Sequence, residues 1–205
     1  MRLRALAALL TSWALSWGSC TAGAQDVRPM NDRQVEAIVR RAEGQLRGGQ
    51  ASAALRTIQP ATRALVWGYE YISPAGLIPL YNRALALGCT AVVRIGGART
   101  YANQASTDRH ATLVDAERCL RDLRREGNPV WDARHGEALV ALGDRMPEAY
   151  ALLAELHARG AIREPEAYAA LVLAARATSH PDVAAQASER CLGLARSRAR
   201  RVCPR

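Results

Sequence analysis

The sequence predicts an all-α fold of stacked antiparallel helical hairpins, arranged as a short α-solenoid or superhelix. Three observations support this. Pro129, Pro147, Pro165 and Pro181 recur at intervals of 18, 18 and 16 residues, and proline is tolerated in the first turn of a helix, where its missing N–H has no partner to lose. Gly127, Gly143 and Gly160 stand before the first three, and glycine takes the left-handed conformation past a helix end without steric cost. The segments between are rich in alanine, leucine and arginine, with apolar residues at helical spacing. Helix, stop and start therefore alternate in units of 34 to 36 residues, the length of an α-hairpin repeat. Repeats of that kind build binding surfaces.

The elements follow in chain order. Asn31 with Gln34 forms an approximate capping box, and Val35, Ile38, Val39, Ala42 and Leu46 share one face of the helix it starts, which Gly48-Gly49 ends. A second helix covers Ala51 to Gln59 and is expected to stop at Pro60. A third covers about Ala61 to Ile72, and Ser73-Pro74-Ala75-Gly76 breaks it. Leu77 to Ile95 is the most apolar stretch after the leader and predicts a buried helix closed by Gly96-Gly97. Within 65–97, the runs Leu65 to Ile72 and Ala91 to Ile95 are rich in strand formers. A minor irregular or β segment there is the alternative to helix. Ala98 to Ser106 is a polar connector, after which Thr107 or Asp108 caps a helix running to Glu126. Four further helices are expected over Pro129 to Leu142, Pro147 to Arg159, Pro165 to Thr178 and Pro181 to about Arg198.

Residues 1–24 read as a secretory signal peptide: Arg2 and Arg4, an apolar run from Ala5 to Trp17, then Ala22-Gly23-Ala24. Those 13 apolar residues fall short of the roughly 20 that span a bilayer, and no later stretch is long and apolar enough. The expectation is an exported chain, periplasmic or extracellular, not transmembrane after cleavage, with residues 25–205 as a single helical domain. Cys20 offers a second route, lipidation to an outer membrane. Without the leader, four cysteines remain. An even number in an exported chain points to disulfides. Of the three connectivities, Cys89 with Cys119 and Cys191 with Cys203 is favoured, because each joins sequence neighbours. Each closure contributes on the order of 3 kcal/mol through the unfolded state.

The chain holds 28 basic and 19 acidic residues and no phenylalanine, for a net charge of +9, and every basic residue is an arginine. Such a surplus favours acidic partners or anionic surfaces. Most charges are scattered, and the one cluster is the tail 196–205, with Arg196, Arg198, Arg200, Arg201 and Arg205. It reads as a frayed, solvated end that could meet an anionic envelope surface, and export argues against nucleic acid.

Candidate chemistry is sparse. No H-E-x-x-H, G-x-S-x-G or phosphate-cradling loop occurs, and no C-x-x-C. Arg94-Ile95-Gly96-Gly97 lacks the lysine such a loop needs. Asp132 and His135 share a helix face at i and i+3, which could ligate a metal, but no second pair accompanies them. His157 and His180 read as structural, and His110 as an exposed first-turn residue. Glu164 and Glu166 flank Pro165 and read as charges complementing a helix dipole. No catalytic residue, metal or cofactor is expected. The candidate binding patch is aromatic: Trp67 and Tyr71 at i and i+4, with Tyr81 and Tyr101 near in sequence. Tyrosine and tryptophan mark interface hot spots, although they also fill a core that has no phenylalanine.

Within 147–184, Ala149-Tyr150-x-x-Leu153-Ala154-x-Leu156-His157-x-x-Gly160-x-Ile162 resembles the first helix and turn of a Sel-like repeat, a relative of the tetratricopeptide repeats. Ala167, Leu171 and Ala174-Ala175 resemble its second helix. The chain departs from the family at Ala161 and Glu164, where a glycine and an aspartate are usual, and its turn is shorter. Ala42, Gly49, Ala54 and Ala61 are similar to the small-residue pattern of an ordinary tetratricopeptide repeat. The resemblance implies a right-handed helical solenoid that binds proteins or peptides, with no catalytic residues to carry over. The expected function is a protein- or peptide-binding scaffold or adaptor in a bacterial envelope. An envelope enzyme or accessory subunit with a groove around 67–101, or a small-ligand or lipid carrier, are the alternatives.

Overall fold

The computed structural model describes residues 30–71, 78–97, 106–124 and 127–204. Eight helices pair into four hairpins: α1 (Asp32–Arg47) with α2 (Ala51–Tyr71), α3 (Ile78–Gly97) with α4 (Ser106–Leu123), α5 (Pro129–Leu142) with α6 (Met146–Ala158), and α7 (Pro165–Ala177) with α8 (Pro181–Ala195). A 3-10 turn (Arg196–Arg198) and a one-turn helix α9 (Ala199–Val202) follow. Among the described residues there is no strand. Residues 1–24, read as a signal peptide, and Cys20 within them lie outside the described residues.

The punctuation works as its chemistry requires. Gly127, Gly143 and Gly160 take φ of 68°, 86° and 61°, the left-handed region that glycine enters freely. Asn128 accepts from the Val130 N–H ahead of Pro129. At α1 the capping box is complete: Asn31 Oδ1 accepts from the Gln34 N–H at 3.0 Å, and Gln34 Oε1 from the Asn31 N–H at 3.0 Å.

Two expectations need correction, at Pro60 and in the tail. Pro60 does not end a helix, and α2 runs through it from Ala51 to Tyr71. Proline inside a helix costs about 3 kcal/mol, but Ala54, Leu55, Ile58 and Ala61 continue one buried face across it, while Pro60 itself is exposed. Of the strand-forming runs in 65–97, Leu65 to Tyr71 lies in α2 and Ala91 to Ile95 in α3, in keeping with the helical reading, while Ile72 lies outside the described residues. The tail is not frayed. Arg196 takes φ 47°, the chain turns back, and Cys203 is buried.

Packing between alternate helices is concentrated in one layer. α1 touches α3, α3 touches α5 and α5 touches α7, with α2, α4, α6 and α8 on the other side of their hairpins. Two main apolar clusters fill the array. One gathers α1 to α4 around Val39, Leu46, Ile58, Leu87 and Leu120; the other gathers α6 to α9 around Leu153, Leu171, Val172 and Cys191. α5 lies between them, giving Ala138 to the first and Ala133 to the second. The Cys89–Cys119 disulfide ties α3 to α4, and Cys191–Cys203 pins the C-terminal segment to α8. Disulfides persist in oxidising compartments, so the pair supports such an environment. No described helix is long and apolar enough to cross a membrane.

Close approach fixes the α5–α6 contact. A Cβ at Gly136 would lie 2.6 Å from Cγ and Cδ2 of Leu153, a side chain with no exposure. Gly136→Ala is therefore expected to overpack the contact and cost about 1–3 kcal/mol, against the gain of about 1 kcal/mol that alanine brings to an open helix site. Urea unfolding of the two proteins measures it.

Candidate functional site

Polar chemistry inside the molecule gathers around α5. Trp131, Ala133, Arg134, His135, Gly136, Glu137, Ala138 and Leu139 are all buried, so the middle of this helix has no solvent face from 133 to 139 and its charged residues there need internal partners. They find them on two sides.

On one side stands Arg94, from the last turn of α3. It donates to Glu137 through Nε and Nη2, both at 2.9 Å, a bidentate pair of the stronger kind. Its Nη2 also meets Glu164, and Glu166 Oε2 lies 3.9 Å from Nη1. Arg134 reaches Glu164 Oε1 at 2.7 Å, and Arg198 closes the set on Glu166 Oε1 at 2.6 Å. Three guanidiniums thus face three carboxylates. Burial works to raise the Glu164 carboxyl, but Arg94 and Arg134 outweigh it and hold it down at about 2. At Glu137 burial prevails over Arg94 and pushes the carboxyl above its ordinary range. Burial opposes the Arg94 charge, but Glu137 and Glu164 raise its pKa well above the ordinary arginine value. Glu164 and Glu166 therefore do more than complement a helix dipole: they neutralise the guanidiniums of Arg94, Arg134 and the half-buried Arg198, from three other segments.

On the other side, His135 Nε2 lies 2.8 Å from Glu117 Oε1 and its Nδ1 lies 3.4 Å from Arg124 Nη1. With Arg124 as donor, the ring proton sits on Nε2 and is given to Glu117. Burial holds the imidazole below its ordinary pKa, against the pull of Glu117. Arg145 and Arg121 also donate to Glu117, at 3.2 and 3.3 Å. A histidine oriented by a carboxylate has the form of a general base. Here the ring is 0% exposed with both nitrogens engaged, so the pair joins α4 to α5. Asp132 turns to Arg124 at 2.9 Å, so Asp132 and His135 are bridged by one guanidinium, which stands where a shared metal would have to sit. Among the described residues, no group of three metal-ligating side chains converges.

The remaining candidates are placed as follows. Trp67 and Tyr71 fall on α2 at i and i+4, but their side chains, and Tyr101 entirely, lie outside the described residues. Tyr81 on α3 is half-buried and packs against the first apolar cluster. His157 meets Tyr168 edge to face at 5.7 Å, and His180 stacks on Tyr150 at 4.0 Å. His110 is exposed. Of the positions quoted for the Sel-like pattern, Ala149, Leu153, Leu156, Ile162, Ala167, Leu171, Ala174 and Ala175 are buried, Tyr150, Ala154 and His157 are half-buried, and Gly160 is exposed.

Sequence reading missed Arg94, Arg134, Glu137 and Glu117. A signal was present: Arg94 stands alone in an apolar run, and Arg134, His135 and Glu137 interrupt a helix whose apolar residues fall on every face. Comparison with protein-family models, with curated proteins and with solved structures finds no significant match.

Two outcomes follow from the paired charges. Glu164→Gln leaves Arg94 and Arg134 short of a counter-charge and should cost about 3–5 kcal/mol, whereas Glu155→Gln, which breaks an exposed pair with Arg159, should cost less than about 1 kcal/mol. Denaturant midpoints at pH 7 compare them. The pH dependence has a defined sign for His135 and for Glu164, while Glu137, raised by burial, opposes Glu164 above its ordinary value. His135 is harder to protonate folded than unfolded, so stability falls as pH drops from about 7 through its ordinary value. Glu164 is held low when folded, so its contribution is present above about pH 4.5 and disappears as pH falls to about 2. A His135→Gln variant should lose the first slope and keep the second.

Proposed function

We propose that the protein is a non-catalytic scaffold or adaptor that binds a protein or peptide partner in the bacterial envelope, after export to the periplasm or beyond. The observation that carries this reading is where apolar surface is left over. Among the described residues, the exposed large hydrophobic side chains are Leu173, Leu192 and Leu194, at 43%, 52% and 44% exposure. All three belong to the last hairpin, Leu173 on α7 and Leu192 and Leu194 on α8. Solenoid ends need polar caps to remain soluble, and apolar surface retained at such an end marks an interaction site.

The interior supports the same reading. Its buried histidine and carboxylates are engaged by arginines or by each other, so they serve packing between helices. The two disulfides fit an oxidising compartment, and the hairpin architecture fits the binding role implied by the Sel-like resemblance of 147–184.

Photo-crosslinking from positions 173 and 192, in the full chain expressed in its own envelope, tests the proposal. The expected result is one protein adduct of defined size, reduced at least tenfold by Leu173→Glu or Leu192→Glu. Absence of an adduct from both positions, together with turnover of an envelope substrate by the purified protein, would favour the enzyme reading and overturn this one.

A further inference from the structure

The turn after α1 lies beside the C-terminal segment. A Cβ at Gly49, in the turn after α1, would lie 2.9 Å from Arg198 Nη1 and 3.5 Å from its Cδ. The α1 C-terminus, with Arg47, therefore stands beside the segment that carries Arg196, Arg200 and Arg201. That segment is held in place by Cys191–Cys203 and by the Arg198–Glu166 ion pair.

The outward side of α1 is basic along its length. Val35, Val39, Ala42 and Leu46 point into the core. Arg33, Arg40 and Arg47 recur every seven residues on the opposite face, with Arg41 beside them and only Ala37 and Gly44 between. At 1.5 Å per residue the row is roughly 21 Å long. Arg40 pairs with Glu36. Arg33, Arg41, Arg47, Arg196, Arg200 and Arg201 are exposed, and among the described residues none has an acidic partner.

We infer that α1 and the disulfide-pinned C-terminal segment together form one docking face for an anionic lipid surface. Three features favour lipid phosphates. The face is a ridge on the outside of a helix, suited to a flat partner. Guanidinium matches the geometry of phosphate oxygens, and clusters of four to eight basic residues are the usual signature of anionic-lipid contact. The α1 ridge also lacks the aromatic and large apolar anchors that dominate protein–protein hot spots. The inference goes beyond the scaffold reading and does not rest on it, since the exposed leucines of the last hairpin take no part.

The test is binding of the full chain to vesicles of phosphatidylcholine, alone or with about one-third phosphatidylglycerol. Each surface arginine contributes about fivefold to such binding. The triple variants R33Q/R41Q/R47Q and R196Q/R200Q/R201Q should therefore each weaken binding to the anionic vesicles about 100-fold. A control, R56Q/R163Q/R190Q, removes three exposed arginines elsewhere and should change it less than about threefold. Circular dichroism confirms that each variant is folded. Equal binding to both vesicle types, or equal loss in the control, would overturn the inference. So would binding to poly-glutamate through the same arginines without binding to vesicles.

Discussion

The structure depends on the buried guanidinium of Arg94. It arrives at the end of α3, grips Glu137 on α5 with two parallel hydrogen bonds and meets Glu164 at the start of α7. One side chain thereby links three consecutive members of the closely packed layer. Arginine is suited to this because its fork serves several acceptors in fixed directions and it keeps its charge when desolvated. Burying a charge costs several kcal/mol per ion, and only a complete set of partners offsets that. Because those partners come from separate hairpins, one stacking arrangement satisfies them all.

This clarifies what the ionic cluster contributes. Net stability comes chiefly from the apolar clusters on either side of α5 and from the disulfides, since replacing a buried ion pair by well-packed apolar residues is often neutral or stabilising. The contribution of the charges is registry. An alanine-rich helix such as α5 presents similar small side chains on every face, and apolar packing alone distinguishes weakly between rotations about its axis. Arg134 and Glu137 on one side, and His135 on the other, can be satisfied in only one rotation. Gly136 adds a steric restriction by admitting Leu153.

Much of the fold was legible in the sequence because its punctuation acts locally. The conformations of Gly127, Gly143 and Gly160, the Asn31–Gln34 box and the first-turn prolines need no knowledge of the rest of the chain, and the two disulfides joined the nearest cysteines. Reading failed where tertiary contact overrides local preference. Pro60 reads as a stop, yet Ile58 and Ala61 belong to one buried face. The tail reads as a solvated basic end, yet Arg198 belongs to a cluster whose other members lie 30 residues or more away. The charged seam around α5 was invisible for the same reason. Glu164 next to a helix-starting proline has an adequate local explanation, and only the stacking of α3, α5 and α7 reveals the arginines it faces.

If α5 joins the two apolar clusters into one cooperative unit, the halves cannot open separately. Native-state hydrogen exchange across a urea series measures this directly. The account predicts that the slowest amides of α1 to α4 and of α7 to α8 share one opening free energy and one denaturant dependence. Opening of α7 and α8 at distinctly lower free energy, while α1 to α4 stay protected, would contradict it.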